Sequence, residues 1–81
     1  MKIKYFAWIK DVTNVHEELI NANEIKNLDH LKKYIISKYP DLKKHLDQEI
    51  LRFAVNQEYI IENIELNKND EIAVFPPVSG G

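Results

Sequence analysis

The residues best placed to do chemistry are the last two. Only two glycines occur in the 81-residue chain, and they are its final pair, Gly80-Gly81. Glycine ordinarily serves turns that need positive φ. Here the turns fall to Asn and Asp instead, at Asn56-Gln57 and Asn67-Lys68-Asn69-Asp70. A backbone without side chains, ending in a free carboxylate, is what a narrow channel in another protein could admit. From Val78 onward, four extended residues reach roughly 13 Å. Pro76-Pro77 stiffens the exit into this stretch, because proline fixes φ and favours a polyproline-like form. The expectation is a fold that presents the tail, with the C-terminal carboxylate carrying the chemistry.

Other groups compete poorly for that role. His16, His30 and His45 are far apart and lack metal-ligand spacing, so no metal site is expected. Ser37 and Ser79 have no strained elbow around them that would build a nucleophile. Glu17-Glu18 and Asp70-Glu71 look like a solvated edge and a turn rather than an acid–base pair. No glycine-rich loop is present to cradle phosphate. The absence of cysteine excludes a disulfide framework, a cysteine nucleophile and a thiolate metal site.

Apolar residues in the wrong place are a second lead. Residues 2–9 alternate as a strand, with Ile3, Tyr5 and Ala7 on one face and Lys2, Lys4 and Phe6 on the other. The lysines mark the second face as wet, which leaves Phe6 an exposed aromatic. Ala73 and Phe75 fall on the same outward side of the last strand, and Tyr59 or Ile61 should join them. A contiguous patch of this kind usually marks a partner surface.

Several elements must position these residues. After the first strand, Ile9 and Val12 suggest one helical turn that stops at Asn14. Residues 15–22 read as a charged edge strand forming a hairpin with the first. Asn27 is a good N-cap for an amphipathic helix whose stripe is Leu28, Leu31, Ile35 and Tyr39, and Pro40 ends it. Leu42 and Leu46 point inward from a further short turn. Residues 51–56 form a strand with Leu51, Phe53 and Val55 inward; residues 59–61 form a short one after the turn at 56–58. The last strand is 71–75, with Ile72 and Val74 inward. The fold class is therefore α+β: one main helix over one mixed sheet, burying a single core. Residues 1–75 form the domain, and 76–81 an extended tail.

Composition agrees with a small soluble domain, able to bury about 60% of its unfolded surface. The formal net charge of −2, with charges scattered, argues against nucleic acid and against a membrane surface. No apolar run has the length of a spanning helix, and no signal-peptide layout opens the chain. The expected location is the cytoplasm.

With these residues in view, a resemblance becomes specific. Phe75-Pro76-Pro77-Val78-Ser79-Gly80-Gly81 closely resembles the C-terminal signature of the MoaD family, the small subunits of molybdopterin synthase. Asp70-Glu71-Ile72-Ala73-Val74 is similar to that family's acidic turn and last strand, Ala54-Val55-Asn56-Gln57 to its central strand and turn, and Ile3-Lys4-Tyr5-Phe6-Ala7 to its first strand. Asn69 stands where members often have glycine; because Asn tolerates the left-handed conformation, the turn should survive.

The resemblance implies a ubiquitin-like β-grasp fold with adjacent, parallel first and last strands. It also implies a sulfur carrier, not catalytic alone, that works as part of molybdopterin synthase and binds no permanent cofactor. An E1-like adenylyltransferase would consume ATP to adenylate Gly81, and the acyl adenylate would become a thiocarboxylate. The tail would enter the large subunit, in a heterotetramer, and donate sulfur to cyclic pyranopterin monophosphate. A carboxylate becomes a useful electrophile only when its oxygen is a good leaving group, which accounts for the adenylation. Gly80 and Gly81 suit a tight channel; Phe6, Tyr59, Ile61, Phe75, Pro76, Pro77, Val78 and Ser79 would contact the partner. Two other readings keep the Gly-Gly end: a carrier for thiamine or tRNA thiolation, and a ubiquitin-like modifier joined to lysines.

Overall fold

The computed structural model describes residues 1–21 and 23–77. Its elements in order are β1 (Lys2–Tyr5), α1 (Ile9–Thr13), β2 (Glu17–Leu19), α2 (Leu28–Lys38), α3 (Lys43–Asp47), β3 (Arg52–Val55), β4 (Glu58–Ile60) and β5 (Glu71–Phe75). A 3-10 turn at Pro40–Leu42 joins α2 to α3. The five strands form one sheet in the order β2-β1-β5-β3-β4.

Strands β1 and β5 lie side by side and parallel, with Ile3 opposite Ile72 and Tyr5 opposite Val74. Every other neighbouring pair is antiparallel. This is the mixed sheet of the β-grasp arrangement, with β2 at one edge as the charges of residues 15–22 suggested. Helix α2 covers one face. Leu28, Leu31 and Ile35 from its stripe meet Ile3, Tyr5, Phe53, Val55, Ile72 and Val74 in a single core. Burying each such side chain contributes about 1.5–3 kcal/mol. The period-2 pattern of each strand is what turns the remaining residues to the opposite face.

Local chemistry explains the boundaries. Asn27 caps α2, its Oδ1 accepting from the His30 N–H at 2.9 Å. The helix stops before Pro40, which has no N–H for another turn. Asn14 ends α1 in the left-handed conformation at φ 63°, and Asn56 and Gln57 both have positive φ in the tight turn between β3 and β4.

Some expectations need correction. The first strand ends at Tyr5, not Ile9: Ala7 turns to φ 54° and the chain winds directly into α1, so Ala7 is exposed rather than aligned with Ile3 and Tyr5. Positive φ is also not confined to Asn, since Ala7, Glu49 and Gln57 share it. Asn69 is not among these residues. The 67–70 turn closes instead by the Asp70 N–H bonding to the Asn67 carbonyl at 3.0 Å, so no left-handed residue is needed at position 69.

Candidate functional site

The sheet face opposite α2 is open, and its rows follow from the registers. Lys4, Ala73, Ala54 and Tyr59 lie in one line across four strands. The next line toward the tail sets Phe75 opposite Arg52. Phe6 N–H donates to the Val74 carbonyl at 3.0 Å. That bond carries the parallel register one residue past β1 and brings Phe6 alongside the end of β5.

The face divides into two halves. Away from the tail it is charged: Lys2 pairs with Glu17 at 3.4 Å and Lys4 with Glu71 at 3.0 Å. These pairs are exposed and each contributes at most about 1 kcal/mol. Toward the tail it is apolar. Phe6 is 46% exposed, Tyr59 55% and Ile61 80%, and Phe75 and Pro76 are half-buried. Small Ala54 and Ala73 form the floor between them, so the rings of Tyr59 and Phe75 approach to 6.1 Å over β3. At these exposures, the described residues of the loop after β2 do not fold over Phe6, Tyr59 or Ile61. The structure thus brings Phe6, Tyr59, Ile61, Phe75, Pro76 and Pro77 to one end of one face. Val78, Ser79, Gly80 and Gly81 lie outside the described residues.

Two polar constructions hold the strands in place from elsewhere in the fold. Asp70 is largely buried; its Oδ1 accepts from Asn56 Nδ2 at 2.9 Å and its Oδ2 from the Asn67 N–H at 2.7 Å. Asn56 Oδ1 in turn accepts from the Glu71 N–H at 3.0 Å. The turn after β3 is therefore clasped to the start of β5, which fixes where β5 begins and where Phe75 ends it.

The second construction overturns an expectation. Glu17 is exposed as a solvated edge residue should be, but the Glu18 side chain is only 11% exposed. Its Oε1 accepts from the Tyr5 and Tyr34 hydroxyls at 3.4 and 3.2 Å. Its Oε2 accepts from Lys38 Nζ at 3.2 Å and the Tyr39 hydroxyl at 2.5 Å. Burial, followed by the Glu18 charge, pushes the Tyr5 hydroxyl far above its ordinary range. Burial and then the Glu18 hydrogen bond push Tyr39 up to about 12. Lys38 is raised as well, chiefly by its hydrogen bond to Glu18. One carboxylate thus ties the edge strand β2 to β1 and to the end of α2. The sequence signal was only that Tyr34, Lys38 and Tyr39 crowd the last turns of one helix.

The histidines stay apart. His30 Nδ1 accepts from the Lys26 N–H at 3.3 Å, and the His45 ring lies against Trp8 at a 59° tilt with centroids 4.7 Å apart. Among the described residues, no group of three His, Cys, Asp or Glu could hold a metal.

Residues 3–81 match the ThiS family. The chain belongs to that family. A human relative described as a molybdopterin synthase sulfur carrier subunit is 41% identical over 85 residues, covering 100% of this chain and 93% of its own. Among solved structures, a protein from Pyrococcus furiosus provisionally described as molybdopterin converting factor subunit 1 superposes with a TM-score of 0.82. It is 30% identical, and the match covers 95% of each chain. A third likeness is to a complex of subunits 1 and 2 of molybdopterin-converting factor from Helicobacter pylori, with TM-score 0.69 and 27% identity over 99% of this chain and 96% of that one. This ThiS-family member therefore has the β-grasp fold of these structures over its whole described length.

Proposed function

We propose that this ThiS-family chain is the sulfur carrier subunit of a molybdopterin synthase, with the sulfur held on the carboxyl carbon of Gly81. The observation that supports this most is its whole-length likeness to the human sulfur carrier subunit, which spans all of this chain. The ThiS-family match also runs to residue 81, so it includes the Gly-Gly end.

The chemistry follows from what the chain offers. Without cysteine, it has no thiol on which to carry sulfur. An E1-like enzyme supplies ATP; the Gly81 carboxylate attacks the α-phosphorus, pyrophosphate leaves, and the acyl carbon gains AMP as a leaving group. Hydrosulfide from a donor attacks the acyl carbon, loses its proton and displaces AMP to give the thiocarboxylate. Inside the large subunit that soft nucleophile attacks cyclic pyranopterin monophosphate to form a thioester, and water then cleaves the acyl–sulfur bond, leaving the sulfur on the pterin and returning the Gly81 carboxylate. Enclosure keeps water from the thiocarboxylate until that attack has occurred. The molybdopterin dithiolene holds two sulfur atoms, so two charged carriers serve each product.

The domain's part is delivery. Residues 1–75 dock through Phe6, Tyr59, Ile61 and Phe75, and residues 76–81 enter the partner. Pro76 and Pro77 reduce the conformational freedom lost on insertion. A partner of this kind is consistent with the complex of subunits 1 and 2 from Helicobacter pylori. No helix among the described residues is long and apolar enough to cross a membrane, and the proposed location is the cytoplasm.

The direct test is to incubate the chain with an E1-like activator, ATP and a sulfur donor, then to supply the large subunit and cyclic pyranopterin monophosphate. Molybdopterin formation that stops when Gly81 is deleted supports the proposal. Adducts on target lysines with no thiocarboxylate would replace it by the modifier reading. A thiocarboxylate that forms but yields no molybdopterin would place the chain in another thiolation pathway.

A further inference from the structure

Strand β4 ends the sheet, and among the described residues its outer edge pairs with nothing. Beside that edge, between the sheet and the helices, runs a groove of about 360 Å³. Leu28, Phe53 and Ile60 line it as apolar residues, and Lys32, Arg52 and Glu49 line it as charged ones. Lys32 Nζ lies 5.5 Å from the Phe53 ring centroid, over the apolar part. The Arg52 guanidinium donates to the Glu49 carbonyl. Among the described residues neither Lys32 nor Arg52 has an ion-pair partner. Two cations against one carboxylate leave the groove with a positive excess. Tyr59 and Ile61 line it too, so the groove is continuous with the apolar end of the outer face.

We propose that the partner covering the outer face also lays an extended, acid-bearing segment along the β4 edge, anchored by Arg52 and Lys32. The proposal rests on the docking reading above and names the chemistry of the partner's contact. A free edge offers backbone donors and acceptors to an added strand, and side-chain pockets beside it select the sequence. The alternating side chains of such a segment place one apolar row into the groove. Its carboxylate lies against Arg52 and Lys32, because Glu58 and Glu62 flank β4 at its two ends and repel it elsewhere. That placement sets the register. The shortness of β4 discourages pairing with arbitrary strands, so the charge pair supplies the discrimination.

The test uses the full-length chain and its purified large subunit. Affinity is measured by calorimetry at low and high salt for wild type, Arg52→Glu, Lys32→Glu, Arg52→Lys and Phe75→Asp, with thermal melting as a check on folding. Hydrogen exchange is followed at the amides of residues 58–61. Expected results are a roughly tenfold loss for Arg52→Glu and for Lys32→Glu, a flatter salt dependence in both, and near wild-type binding by Arg52→Lys. Amides at 58–61 should slow on complex formation in the wild-type protein, a readout that needs no variant. Unchanged affinity for both charge reversals, or unchanged exchange at 58–61, overturns the edge contact. If Phe75→Asp still weakens binding in that case, the docking reading survives alone; if it too has no effect, both fall.

Discussion

The rings of Tyr59 and Phe75 lie 6.1 Å apart although β3 separates their strands. Strands two places apart are about 9.6 Å distant, twice the usual spacing. The rings close that gap because Ala54, opposite both Tyr59 and Ala73, has almost no side chain to intervene. A tilted aromatic pair of this kind is rigid and presents a large area at little entropy cost. It stands at the base of the tail, where a docking partner would need a fixed surface.

Phe75→Asp should therefore weaken binding to the large subunit at least about 30-fold, the scale of an interface hot spot. Phe75 is only half-buried, so the domain should still fold. Calorimetry paired with a thermal melt checks both statements. Unaltered affinity would remove Phe75 from the interface.

Glu18 is expected to matter for stability rather than for docking. Glu18→Gln removes the charge that three hydroxyls and one ammonium address. The loss should be about 1.5–3 kcal/mol, the range for hydrogen bonds to a charged group. Urea denaturation measures it, and a change below about 0.5 kcal/mol, as for an ordinary surface site, would contradict the hub.

The same hub predicts alkaline sensitivity. Tyr39 is raised to about 12 from an ordinary 10.0, and Tyr5 is raised further. The folded state thus favours the protonated hydroxyls, so their contribution is fully present below pH 10.0. It is lost as pH rises through 10.0 toward 12. Denaturation midpoints across this window should fall more steeply in wild type than in a Tyr39→Phe variant. Parallel curves would show that the tyrosines do not carry the effect.

Much of this architecture was legible in the sequence, for identifiable reasons. The Leu28, Leu31, Ile35 stripe, the Asn27 cap and Pro40 are local signals, and α2 begins and ends where they place it. Period-2 alternation sorted Ile72 and Val74 from Ala73 and Phe75 correctly, because a strand has only two faces. Strand one was overextended because Ala7 carries no turn signal. Its left-handed conformation is imposed by the need to enter α1 at once, with Ile9 fully buried. Glu18 was misread because its donors come from β1 and from α2, up to 21 residues away. No spacing rule links an edge-strand carboxylate to a distant helix end. The patch of Phe6, Tyr59, Ile61 and Phe75 was anticipated as a set, but the Tyr59–Phe75 contact depends on Ala54 lying between them.

Asn56 carries a further expectation. It has φ 51° and uses its side chain to bridge Asp70 and Glu71. Asn56→Ala places a Cβ-bearing residue without that bridge in the left-handed region and should cost about 2 kcal/mol. Asn56→Gly relieves the backbone but not the lost bonds, so it should fall between the two. If Gly matched wild type, the clasp would contribute nothing and only the backbone would matter.

The proposed chemistry resides on the terminal carboxyl group. Its most direct measurement is the intact mass of the chain after incubation with an E1-like activator, ATP and a sulfur donor. Replacement of one oxygen by sulfur, localised by fragmentation to Gly81 and absent when ATP is withheld, is the predicted result. An unchanged mass with an activator that charges a known carrier under the same conditions would contradict it.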